Sequence, residues 1–238
     1  MSETSDDDGE QSSFEAQLET IHQQHLRQDL EEQLEDAATT MEETILQTII
    51  ANEFLGLDVA VSDDVRDKVE TARNHVTNRD FDALVAMIDD LISEVESEAH
   101  TIDNTIQEER SEDRDRITAM RELNEHVNVA DPGKLKALES LLSDWDWKAQ
   151  VYTEDVGESF EAKQEAAHEF ATSMSQSLSE VQEALLGNYN GTTLGSVVNQ
   201  LMDDEPLHYT DLTDDEKEAL QGSKLAEYIE LRLASSHQ

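Results

Sequence analysis

Residues 81–106 read FDALVAMIDDLISEVESEAHTIDNTI, and their spacing decides the fold class. Phe81, Leu84, Ile88, Ile92, Val95, Ala99, Ile102 and Ile106 recur at steps of three and four, the period of one helix face. The polar run QEERSEDRDR at 107–116 interrupts the stripe, which returns at Ile117, Met120 and Val127 without losing phase. A loop would keep phase only by chance, so one helix is predicted from about 80 to 128. At the α-helical rise its length is roughly 70 Å. The polar interval then either protrudes as a solvated stalk or pairs Glu109, Arg110 and Asp113 across a seam.

The same period governs the flanking segments. From Ser13 to Leu55 there is neither proline nor glycine, and Gly56 follows as a C-cap. Phe14, Leu18, Ile21 and His25 share one face of this helix. Leu26, Leu30, Leu34, Ala37, Met41 and Ile45 run on a face rotated by about a quarter turn. Either the helix bends at HQQH, residues 22–25, or two partners cover its two halves. Ser62 with Asp63 and Asp64 is an N-cap signal for a short helix carrying Val65, Val69, Ala72 and Val76. Asp131-Pro132-Gly133 opens a helix striped by Leu135, Leu138, Leu142, Trp145 and Ala149.

A break is expected near Gly157. A third long helix then covers 158–186, with Phe160, Ala167, Phe170, Ala171, Met174, Leu178, Val181 and Leu185 in its seam, and GNYNG ends it. Leu194, Val197, Val198 and Leu201 mark a short helix stopped by Pro206. Thr213 and Glu216 form a capping box for a last helical stretch that Gly222 interrupts. No strand pattern and no internal repeat is present. The expected fold is therefore all-α: an elongated helical or coiled-coil bundle over 13–190, a disordered acidic tail at 1–12, and a small helical module at 191–238. The seams look too long for one chain to cover, which favours a homodimer.

Composition sets the solvent. Among 238 residues, 57 are acidic and 16 basic, a net charge of −41, yet 37% are hydrophobic. Each quarter of the chain carries between 11 and 17 of the acids, so the charge is a property of the whole surface. That spread, with seven lysines, resembles the composition of proteins from salt-in halophilic archaea. Molar salt shortens the Debye length to about 3 Å and screens the self-repulsion. A DNA mimic would instead gather its carboxylates on one face. No cysteine is present, which removes disulfides and thiolate metal sites. The acidic N-terminus is unlike a secretory signal, and no apolar run nears the roughly 20 residues of a membrane span. A soluble, cytoplasmic protein is expected.

Motifs for chemistry are sparse. Glu19-x-x-His22 and Glu165-x-x-His168 have the spacing used by di-iron helical bundles, with His25 one turn beyond. With 32 glutamates and eight histidines, however, chance supplies about one such pair. His25 could also serve as a pH-sensitive seam residue. There is no P-loop, no G-x-S-x-G, no H-E-x-x-H and no complete calcium loop. The reading is a non-catalytic interaction protein, a scaffold or accessory subunit, with no cofactor, no metal and no small-molecule substrate inferred. Its candidate contact residues are Phe81, Ile88, Val95, Ile102, Phe170, Met174 and Leu178, where these are not satisfied internally. Trp145 and Trp147 in DWDWK cannot share one helical seam, so one of them is expected to be an exposed anchor. Eleven of the sixteen basic residues lie between 66 and 148. Arg110, Arg114, Arg116 and Arg121 are a candidate polar contact, and they carry the alternative of a chromosome-associated or DNA-processing accessory protein.

Overall fold

The computed structural model describes the backbone of residues 7–205, 207–208, 210–221, 223–226 and 228–229, with side chains from Thr20 onward. The fold is all-α, and no strand occurs among the described residues. In chain order the elements are α1 (Asp7–Ile50), a π-helical turn (Ala51–Leu55), α2 (Asp63–Asn78), α3 (Phe81–Val127), α4 (Pro132–Asp144), α5 (Lys148–Val151), α6 (Phe160–Gly187), α7 (Gly195–Met202) and α8 (Asp214–Gln221). The helix expected at 80–128 is one unbroken α3. The first helix begins earlier than expected: residues 7–12, assigned to a tail, already belong to α1. Residues 1–6, Pro206 and Gly222 lie outside the described residues, as do the side chains of Phe14 and Leu18.

The chain forms two compact units, Met1–Ile45 with Ala60–Ile102, and Leu46–Val59 with Asp103–Gln238. Within the second unit α7 packs on α6.

The first unit runs up α1, back down α2 and up α3. Antiparallel pairing of α2 with α3 is marked by the Ser62 N–H donating to Glu98 at 2.7 Å and by Lys68 bonding Glu94 at 2.7 Å. Leu30, Leu34, Ala37, Ala38 and Met41 from α1 meet Val65, Val69 and Ala72 from α2 and Leu84, Ile88, Leu91 and Val95 from α3 as the buried set. Ser62 occupies the predicted N-cap position, but its hydroxyl makes no cap bond; Asp64 and Glu94 together hold Lys68 instead. The Arg27 guanidinium lies 4.8 Å from the Phe81 ring, so the first residue of α3 sits beside Arg27. Upstream of that point every residue from Thr20 to Leu26 is exposed, including Ile21 and Leu26. The HQQH segment thus lies in an exposed stretch of α1.

The second unit is organised around α6, which packs on the π-helical turn, α4, α5 and α7. Ala167, Ala171, Val181 and Leu185 form its buried stripe, while Phe160, Phe170, Met174 and Leu178 are only half-buried. Turn chemistry fixes the entries and exits. The Asp131 carboxylate accepts from the Gly133 N–H at 2.8 Å with Pro132 at the first helical position. Ser159 accepts from Ala162 to start α6. Thr213 and Glu216 make the full reciprocal capping box. Asn124, buried, donates to the Ala130 carbonyl and accepts from the Val129 and Ala130 N–H groups, closing the α3–α4 connection.

Candidate interaction site

The polar interval of α3 neither protrudes nor pairs as expected. The helix is continuous through it, and Asp113 turns inward and is buried. Burial pushes the Asp113 carboxyl above its usual range, against the pull of Arg116. Arg116 bonds Asp113 at 2.8 Å and Asp203 at 2.9 Å, and Arg121 bonds Glu139 at 2.6 Å. Arg114 pairs with Asp115 at 3.7 Å. The basic stretch is therefore mostly absorbed by carboxylates of the same unit. Arg110 differs: its guanidinium lies 5.7 Å from the Trp145 ring centre, and it makes no ion pair among the described residues.

Neither tryptophan of DWDWK is an exposed anchor; both are buried. The reason is local. Trp145 takes φ 49°, ψ 39° and ends α4, so the 100° step between successive helical residues is lost. A left-handed non-glycine residue costs roughly 1–2 kcal/mol, and here it turns Trp145 and Trp147 inward while Asp144, Asp146 and Lys148 stay exposed. The same break leaves Ala149, expected in the α4 stripe, in solvent. Among the described residues neither Asp144 nor Asp146 forms an ion pair with a basic side chain.

The Asp144–Lys148 turn separates two depressions. One is a groove of about 400 Å³ between α4 and α6, floored by Leu141, Phe170 and Met174, with Ser140, Ser173 and Gln150 on its sides and Asp144 and Asp146 at its rim. The other is a polar cleft of about 640 Å³ lined by Gln47, Asp103, Arg110, Lys148, both tryptophans and the same two aspartates. Of the contact residues expected from sequence, Phe170 and Met174 reach the groove, and Arg110, Trp145 and Trp147 meet in the cleft. Ile88, Val95 and Ile102 are consumed by the interior of the first unit, with 5% exposure or less. Phe81 is half-covered by Arg27, and Leu178 is half-buried outside the groove lining.

The histidines do not converge. His22, His25 and Glu165 are exposed, and the side chain of Glu19 lies outside the described residues. His168 Nδ1 sits 2.5 Å from Glu53 Oε1, and Ser175 donates to the Glu53 carbonyl at 2.9 Å. Among the described residues no three His, Asp or Glu side chains gather as a metal site. No described helix is long and apolar enough to cross a membrane. The π-helical turn that carries Glu53 was not foreseen. It ends at Gly56, whose N–H donates to the Ala51 carbonyl and whose φ of 73° turns the chain so that the Leu57 N–H reaches the same carbonyl at 3.5 Å, and Asn52 clamps Val59 through both backbone groups. Comparison with protein families, curated proteins and solved structures finds no match to this chain.

Proposed function

We propose that the chain is a non-catalytic helical docking protein, a scaffold or accessory subunit, whose α4/α6 groove receives an apolar side chain of a partner's amphipathic segment. One observation carries this reading. Phe170, Met174 and Leu141, apolar and only half-buried, floor a groove between two helices, whereas most other seam residues are satisfied inside the fold. Grooves of this form take helices through anchors at i, i+3 and i+4. No cation lines the groove and two unpaired carboxylates stand at its rim, so a lysine or arginine flanking the anchor complements it. In a salt-rich cytoplasm, where exposed charges are screened, burial of the apolar floor supplies the affinity and the carboxylates select orientation. The alternative of nucleic-acid contact draws little from the basic stretch, since Arg114, Arg116 and Arg121 already hold carboxylates.

The test places a photocrosslinking side chain at position 173 in the full-length protein in high-salt cell extract, with a control at exposed Ala149. The expected outcome is a discrete crosslinked protein at 173, absent at 149. Met174→Asp should abolish it, because loss of an interface anchor costs about 2 kcal/mol or more. Equal crosslinking at both positions, or crosslinking indifferent to Met174→Asp, removes the groove as the docking site.

A further inference from the structure

We infer that the polar cleft behind the Asp144–Lys148 turn binds a small zwitterion carrying a carboxylate and an ammonium group, of which an uncharged-side-chain α-amino acid is the simplest. The inference rests on which groups in the cleft are already committed. Gln47 donates to Asp103 at 3.2 Å, and Gln107 donates to the other oxygen of the same carboxylate at 2.6 Å. Lys148 lies 5.9 Å from the centre of the Trp147 ring. Four groups are left over: the Arg110 guanidinium, the Asp144 and Asp146 carboxylates, and the Trp145 indole N–H. The last is fully buried with no hydrogen-bond partner among the described residues.

Arg110 is the informative member. In a chain with 57 acids and 16 bases, a half-buried guanidinium should find a carboxylate, as Arg116 and Arg121 do. Arg110 instead lies over Trp145 without an ion pair among the described residues, and a guanidinium's planar fork is suited to an oxyanion. A simple anion placed there would meet two cations, Arg110 and Lys148, but also three carboxylates, Asp103, Asp144 and Asp146, in the same cleft. A simple cation would satisfy Asp144 and Asp146 but leave the guanidinium unmatched. A ligand with both signs pairs both sets at once, and about 640 Å³ is ample for an amino acid.

Asp144 and Asp146 line both this cleft and the α4/α6 groove, so the test separates the two readings through Arg110, which lines the cleft alone, and Met174, which lines the groove alone. The full-length protein, in salt that maintains its helicity, is titrated by calorimetry with L-alanine, L-serine and L-leucine, and separately with acetate and with methylammonium as half-ligands. Saturable binding of at least one amino acid is expected, with neither half-ligand binding at the same concentration. Arg110→Gln should weaken it about tenfold or more, since a hydrogen bond to a charged group is lost, and the pair Asp144→Asn with Asp146→Asn should do the same. Met174→Asp should leave it unchanged. Circular dichroism confirms that each variant is folded; should Arg110→Gln unfold, Arg110→Lys, which keeps charge but loses the fork, replaces it and should bind more weakly than the parent. No saturable binding by any of the three amino acids overturns the inference. So does undiminished binding by the folded arginine variant, or acetate binding as tightly as the amino acids.

Discussion

The two compact units solve the same problem differently. In the first, three helices align chiefly by periodicity: Leu34, Val69, Leu84, Ile88 and Val95 fall on continuous stripes, and polar contacts such as Arg73–Glu42 at 3.1 Å and Lys68–Glu94 at 2.7 Å lie around them. In the second, short elements meet at angles that turns decide, and polar groups move inside to fix those turns. Asn124 closes one connection with three hydrogen bonds, Asp113 is buried against Arg116, and Trp145 is held left-handed. Stripes tolerate sliding and screening; turns are specific and brittle.

That contrast can be broken most sharply at Asn124. Asn124→Ala leaves the buried Ala130 N–H and C=O without their partner, so the second unit should lose roughly 1–3 kcal/mol in denaturant unfolding. An unchanged midpoint would show that the turn is held by packing alone. The next effect belongs to the first unit. The Arg73–Glu42 pair, measured by a double-mutant cycle, should contribute about 0.2–1 kcal/mol and fade as salt rises. A contribution that persists at molar salt would mean that the first unit also depends on specific polar contacts. The smallest effect is a titration. The Thr213 N–H, and then the Ser196 and Thr213 hydroxyls, hold the Glu216 carboxyl below its usual range. A depressed carboxyl stabilises above its unfolded-chain value, about 4.3, and that contribution disappears as pH falls through the lower folded value. Fraying of α8 on acidification, seen by amide exchange, should therefore be displaced to lower pH relative to the start of carboxylate titration elsewhere. In Glu216→Gln this pH dependence should vanish.

The stripes made the fold legible. α3, α4, α6 and α7 follow from the spacing of Leu, Ile and Val, and the caps at Asp131 and Thr213 follow from side chains that compete for backbone N–H groups. The site was less legible, for two physical reasons. Periodicity reports which face is apolar but not whether another element already covers it, so Ile88, Val95 and Ile102 looked like contact residues and proved interior. Helical spacing also fails where the helix stops. The αL conformation at Trp145 brings both tryptophans inside where one was expected outside, and no glycine or asparagine announces it. The pairing of Arg116 with Asp203, 87 positions away, has no local signal at all.

The π-helical turn at Ala51–Leu55 has a consequence for protein engineering. Five residues there occupy space that an α-helix would fill with four, which is the geometry of a single inserted amino acid. Deleting one residue from this segment should restore ordinary winding at the end of α1. Helix residues on one side of the deletion would then be rotated by about 100° relative to those on the other, so Glu53 and His168, now 2.5 Å apart, would no longer meet. The shortened protein therefore tests directly what that pairing contributes.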